Sequence, residues 1–171
     1  MQRFFLITVF FIGGYLMSNN AIIPLEDFFR NPEMSSFQLS PNGDYISYMK
    51  PWEEGNRRMN IYIKSMSSDN ETQLTHEKDR GVYGYFWLNE SRLAYAKDEG
   101  GDENIHIFAV DIDGKNEIDL TPFENIQARL IDDLEEDNDH ILIGLNQRKR
   151  TLQMFVLPRR TAHSIRSAHC R

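Results

Sequence analysis

The chain repeats itself, and the spacing of the repeat limits what it can fold into. Ser40-Pro41-Asn42-Gly43-Asp44-Tyr45-Ile46-Ser47-Tyr48 aligns with Trp87-Leu88-Asn89-Glu90-Ser91-Arg92-Leu93-Ala94-Tyr95, 47 residues further on. Asn60-Ile61-Tyr62-Ile63 aligns with Asn104-Ile105-His106-Ile107 at 44, and Gln73-Leu74-Thr75 with Asp119-Leu120-Thr121 at 46. Three matches in one order at nearly one offset mark a structural unit of that length, which must bury itself against its neighbours. The slippage between offsets falls where loops belong.

Each unit reads as four short antiparallel strands. Turn residues separate them: Pro-Asn-Gly at 41–43, Glu-Gly-Asn at 54–56, Gly-Gly-Asp at 100–102 and Asp-Gly at 113–114. Apolar residues alternate within a strand, so Ile105, Ile107 and Ala109 share one face and His106, Phe108 and Val110 the other. Both faces are largely apolar, as in a sheet stacked between two others. The expected fold is therefore all-β: a partial β-propeller of two four-stranded antiparallel blades plus the start of a third, preceded by an N-terminal signal helix. Blade one covers about 34–75, blade two about 82–121 and partial blade three about 126–147. The stretch from Leu25 to Phe29 reads as one short turn before Asn31-Pro32.

The third copy starts with His140-Ile141-Leu142-Ile143-Gly144-Leu145 and then departs from the pattern. Arg148-Lys149-Arg150 follows, then an apolar stretch at 152–157 that could make one strand, then a Ser/Ala/His/Arg tail. Charge changes at the same place. Residues 22–147 hold 26 acidic and 11 basic side chains, whereas 148–171 hold seven basic and no acidic ones. A disordered tail never selected to fold, as when a shifted reading frame ends a gene, would look like this; a genuine basic extension is the alternative. The acidic body excludes recognition of a nucleic-acid backbone, which needs a cationic surface.

The first segment has the layout of an export signal. Met1-Gln2-Arg3 is positive, Phe4 to Met17 is almost wholly apolar, and Ser18-Asn19-Asn20-Ala21 ends on a small residue. The apolar run is short for a membrane span of about 20 residues. Residues 1–21 are thus expected to be a signal peptide, with an uncleaved anchor as the alternative, and the chain to be periplasmic or secreted. One cysteine, Cys170, rules out an intrachain disulfide.

Several stretches, taken in order, resemble the N-terminal propeller of the prolyl oligopeptidase family of serine peptidases, on its dipeptidyl-aminopeptidase and acylaminoacyl-peptidase side. They are Ile23 to Pro32, Phe37 to Gly43, Pro51-Trp52, Lys78-Asp79-Arg80-Gly81, Gly100-Gly101-Asp102-Glu103-Asn104, Leu120-Thr121-Pro122-Phe123 and Asn146-Gln147-Arg148. The resemblance covers roughly residues 22–148. It implies a parent that hydrolyses short peptides with an α/β-hydrolase domain behind the propeller. That chemistry needs a serine on a Gly-x-Ser-x-Gly-like elbow, then Asp and His, and the 171 residues contain no such elbow. No catalytic, cofactor-binding or metal residue is therefore assigned, and the chain itself is expected to be inactive. Peptides are expected as partners only of the full-length relative, and the membrane only through the export signal. Uncovered blade faces are expected to self-associate. A stand-alone Tol-like periplasmic binding module and a small enzyme with a site of its own are the competing readings.

Other constellations are better explained by structure. Asp111-Ile112-Asp113-Gly114 lacks the Gly and Glu positions of a calcium loop and reads as a hairpin tip. The acidic run from Asp132 to Asp139 reads as a solvated connection. His76, Glu77 and Asp79 lack a second histidine at zinc spacing, and His163, His169 and Cys170 fit no zinc pattern. His106 reads as a packed or edge histidine. Trp52, Tyr83, Tyr85, Phe86 and Trp87 could stack a ligand, but Tyr83 to Trp87 fall where blade two needs its first strand, so core packing is expected.

Overall fold

The computed structural model describes residues 24–30, 32–132, 140–146 and 153–158. Two units are distinguished, Met1–Arg30 and Asn31–Arg171. In the first, α1 (Leu25–Phe29) is the expected short turn. It follows Pro24, whose carbonyl accepts from Asp27 N at 3.0 Å. The signal-peptide reading of 1–21 lies outside the described residues. Among the described residues no helix is long and apolar enough to cross a membrane.

The second unit is three antiparallel sheets. Sheet one is β1 (Ser35–Leu39), β2 (Tyr45–Trp52), β3 (Arg58–Ser65) and β4 (Glu71–Gln73), paired in chain order. Sheet two repeats this with β5 (Gly84–Asn89), β6 (Arg92–Lys97), β7 (His106–Asp111) and β8 (Ile118–Asp119). Sheet three has β9 (Ala128–Asp132), β10 (His140–Leu145) and β11 (Gln153–Pro158), with β10 central. Two blades and part of a third are thus present. Sheet three continues past residue 147, where the sequence reading stops the propeller, because β11 pairs with β10 from Leu145↔Gln153 to His140↔Pro158. It occupies the apolar stretch at 152–157 that the sequence marks as a strand.

Turn chemistry sets the hairpins. At the β1–β2 turn Gly43, at φ +76°, closes on the Ser40 carbonyl at 2.9 Å, and Ser40 Oγ accepts from Tyr45 N. A left-handed φ favours glycine there. Each β3-type strand is anchored from below by a threonine. Thr75 Oγ1 accepts from Ile61 N at 2.9 Å, and Thr121 Oγ1 accepts from Ile107 N at 3.0 Å. Ile61 is therefore equivalent to Ile107, an offset of 46. The sequence alignment at 44 is two residues out, which the alternation could not reveal because a slip of two keeps every side chain on its face.

The core lies between the sheets. Met49, Ile61, Ile63 and Leu74 of the first meet Tyr85, Trp87, Leu93, Tyr95 and Val110 of the second, with Val82 from the connection. The other face of sheet two packs Leu88, Ala94, Ile107, Ala109 and Leu120 against Ile126, Ala128, Ile141, Ile143 and Leu145. Sheet two is apolar on both faces as its alternation requires: Ile107 and Ala109 point one way, Phe108 and Val110 the other. The first joint also carries polar ties. Trp87 Nε1 donates to Ser47 Oγ at 3.0 Å, Gln38 Nε2 to the Tyr85 carbonyl at 2.9 Å, and the Tyr85 hydroxyl to the Ser36 carbonyl.

Candidate functional site

One polar cluster recurs in both complete sheets. In sheet one the Tyr48 hydroxyl and the Lys50 ammonium, two residues apart on one face of β2, both donate to the Glu71 carboxylate on β4. Lys50 Nζ also stands 4.3 Å from the centre of the Tyr62 ring, a cation–π arrangement. In sheet two the Tyr95 hydroxyl donates to Glu117, Lys97 Nζ donates to the same carboxylate at 3.0 Å, and Lys97 Nζ lies 4.3 Å from the Phe108 ring centre. Tyr48, Lys50, Tyr62 and Glu71 thus match Tyr95, Lys97, Phe108 and Glu117. Lys97 makes one bond more: Glu77, from the segment leaving sheet one, accepts it at 2.7 Å. This ion pair ties the two blades together.

Titration follows from these contacts. Burial pulls the Glu117 carboxyl upward, but the Tyr95 hydroxyl and Lys97 ammonium outweigh it and hold it below its ordinary value. Glu71 is held down in the same way, by Lys50 and Tyr48 against burial. Burial lowers Lys97, yet Glu77 and Glu117 together raise it above the usual lysine range. Tyr48 and Tyr95 are both pushed up, by burial first and then by their glutamates. Charges balanced this way hold a fold together; they provide no free base and no activated nucleophile.

A second arrangement joins two of the stretches that carry the family resemblance. The Arg80 guanidinium reaches to 3.9 Å of the enclosed Asp98 carboxylate and rests against Gly101. A Cβ on Gly101 would meet Arg80 Nη2 at 2.9 Å, and its φ of +90° also favours glycine. Tyr83, beside them, has its hydroxyl raised by burial and by Asp98. A shallow polar groove lies at the same end of sheet two, lined by Asp102, Asn104, His106, Asp119 and Pro122 to Asn125. Among the described residues no group of three or more His, Cys, Asp or Glu is placed to hold a metal.

The residues that the sequence singled out are dispersed. Asp111 to Gly114 form a hairpin tip, with Gly114 N on the Asp111 carbonyl at 2.9 Å. His76 packs edge-on to Trp52, ring centres 5.3 Å apart, while Glu77 is spent on Lys97 and Asp79 is exposed. His106 is a packed histidine, half-buried, with Nδ1 2.8 Å from Asp119. Tyr85 and Trp87 are core residues as expected and Phe86 packs on the other face. Tyr83 differs: it precedes β5 and is half-exposed, because the strand begins at Gly84. Residues 133–139 of the acidic run, and His163, His169 and Cys170, lie outside the described residues. The Tyr–Lys–Glu cluster went unnoticed in the sequence, although Lys50 and Lys97 extend the 47-residue match by two positions.

Stacked four-stranded sheets with apolar joints and no reactive centre define a β-propeller segment. TolB from Acinetobacter baumannii matches with a TM-score of 0.50 at 16% identity, over 76% of this chain and 31% of that one. A puromycin-hydrolyzing peptidase from Mycobacterium tuberculosis matches with a TM-score of 0.54 at 14% identity, over 78% and 22%. Sequence relatives are more specific. Dipeptidyl aminopeptidase BIII of Pseudoxanthomonas mexicana is 31% identical over 134 residues, and dipeptidyl peptidase family member 6 of Caenorhabditis elegans is 27% identical over 139. The alignments take in 77% of this chain, but the chain spans only 19% and 18% of those relatives. No family profile matches. The chain belongs with the dipeptidyl peptidases of the prolyl oligopeptidase family and carries their N-terminal propeller portion.

Proposed function

We propose that this 171-residue chain is a non-catalytic propeller segment of an exported dipeptidyl-peptidase-type protein, and that it hydrolyses no peptide by itself. The observation that carries this is the pairing of a 31% identical peptidase relative with a coverage of only 19% of its length. Two facts support it: the sequence holds no Gly-x-Ser-x-Gly elbow, and the buried charges are consumed in structural pairs. In a full-length relative, blades of this kind would wall the approach to a hydrolase domain and restrict entry to short peptides. Residues 1–21 would direct export.

The test is hydrolysis of dipeptidyl and aminoacyl chromogenic substrates by the purified chain. The expected rate is that of buffer alone. Turnover that a serine-directed inhibitor abolishes would overturn the proposal. The DNA following the reading frame gives a second readout: a hydrolase-coding stretch there supports a segment derived from a peptidase.

A further inference from the structure

The two joints are built alike, and the way they are built specifies what fits the free face of sheet one. Sheet two meets sheet one through Tyr85, Trp87, Leu93, Tyr95, Lys97 and Phe108. The strand registers place Phe37, Leu39, Ile46, Tyr48, Lys50 and Tyr62 of sheet one at the same six positions, since Leu39↔Ile46 corresponds to Trp87↔Leu93 and Tyr48↔Tyr62 to Tyr95↔Phe108. Sheet one therefore carries a complete receiving face. Trp87 is only 6% exposed, whereas its counterpart Leu39 is 61% exposed and Phe37 is 55%.

The matching, delivering face is equally defined. It presents small residues from the second strand: Ser47 takes the Trp87 indole, and Ala94 and the neighbouring Ala96 stand at the corresponding positions of sheet two. In sheet three the same positions are Leu142 and Gly144, which alternate with the inward-facing Ile141, Ile143 and Leu145; Arg129, opposite Gly144, is exposed. Among the described residues this is the one delivering face not already engaged in a joint.

We propose that the Phe37–Leu39–Tyr48 face of sheet one binds the Leu142–Gly144 face of sheet three in a second copy of this chain, and that two copies close head to tail. Each copy brings three sheets, so a closed pair holds six, within the range of about four to eight blades that propellers use. The contact is heterologous within the pair, yet it closes, because each copy offers one face of each kind.

The experiment uses the full chain with Cys170→Ser. Sedimentation should give twice the single-chain mass, and F37D/L39D should give the single-chain mass with unchanged far-ultraviolet dichroism, since both side chains are already exposed. Oxidation of a mixture of L39C and R129C copies should produce a cross-linked pair that neither variant forms alone. A monomeric parent chain, an open-ended polymer, association undiminished in F37D/L39D, or cross-linking of L39C copies with one another would each overturn the proposal.

Discussion

Tyr48 and Tyr95, 47 residues apart, occupy one position of the repeat, and each hydroxyl ends on a glutamate carboxylate 22 or 23 residues later. Their settings differ. Tyr95 is clamped between two sheets, whereas Tyr48 lies on the outer face of the first, beside the exposed ring of Phe37 at 5.6 Å. A hydrogen bond to a charged group contributes about 1.5–3 kcal/mol. Tyr95→Phe should cost that much, and Tyr48→Phe clearly less, because water can replace the lost donor at an open face. Urea titration at fixed protein concentration measures both, and equal losses would refute the difference in setting.

Thr75 and Thr121 give a second comparison. Each buried hydroxyl accepts an isoleucine N–H that has no other described partner. Valine at either position keeps the shape and strands that N–H, at a cost of about 1–3 kcal/mol. Serine keeps the acceptor and should restore most of the loss. A valine variant as stable as the parent chain would show that the threonines are dispensable.

Stability should fall at both ends of the pH scale. Glu71 and Glu117 are held below their ordinary value, so what they contribute is present above about pH 4.5 and is lost as the pH falls through their lowered values. Tyr95 and Lys97 are raised, so what they contribute is present below about pH 10 and is lost as the pH rises beyond it. Melting temperature measured from pH 3 to 11 should be dome-shaped. In Glu117→Gln the acid limb should flatten, and an unchanged acid limb would mean that this carboxylate is not part of it.

The sheets were legible because alternation and turn residues are local. Pro41-Asn42-Gly43 and Asp113-Gly114 signal hairpins whatever surrounds them, and the two apolar faces of β7 demanded a neighbour on each side. The exact offset of β7 was not legible: Asn60 resembles Asn104 in sequence, but the bond from Ile107 to Thr121 shows that His106 takes Asn60's place. The end of the propeller was misjudged for a related reason. Arg148-Lys149-Arg150 interrupts the acidic composition, but strand pairing depends on the apolar stretch that follows. The Tyr–Lys–Glu cluster stayed hidden because its members come from the second and fourth strands, and only pairing through β3 or β7 brings them together.

The joint between the blades can be isolated from the blades themselves. Lys97 bonds Glu117 within its own sheet and Glu77 across the joint, with side chains 15% and 24% exposed in the latter pair. Lys50, its counterpart, bonds only within its sheet among the described residues. A double-mutant cycle of Lys97→Met with Glu77→Gln should therefore give a coupling energy of about 1 kcal/mol, at the upper end for partly exposed pairs. The same cycle with Lys50→Met should give none, because Lys50 and Glu77 share no partner. The coupling should also shrink as salt is added, since the pair is not fully shielded from solvent. Equal coupling for both lysines would mean that Glu77 acts through the general field of the acidic body, and the ion pair would then have no part in holding one blade to the next.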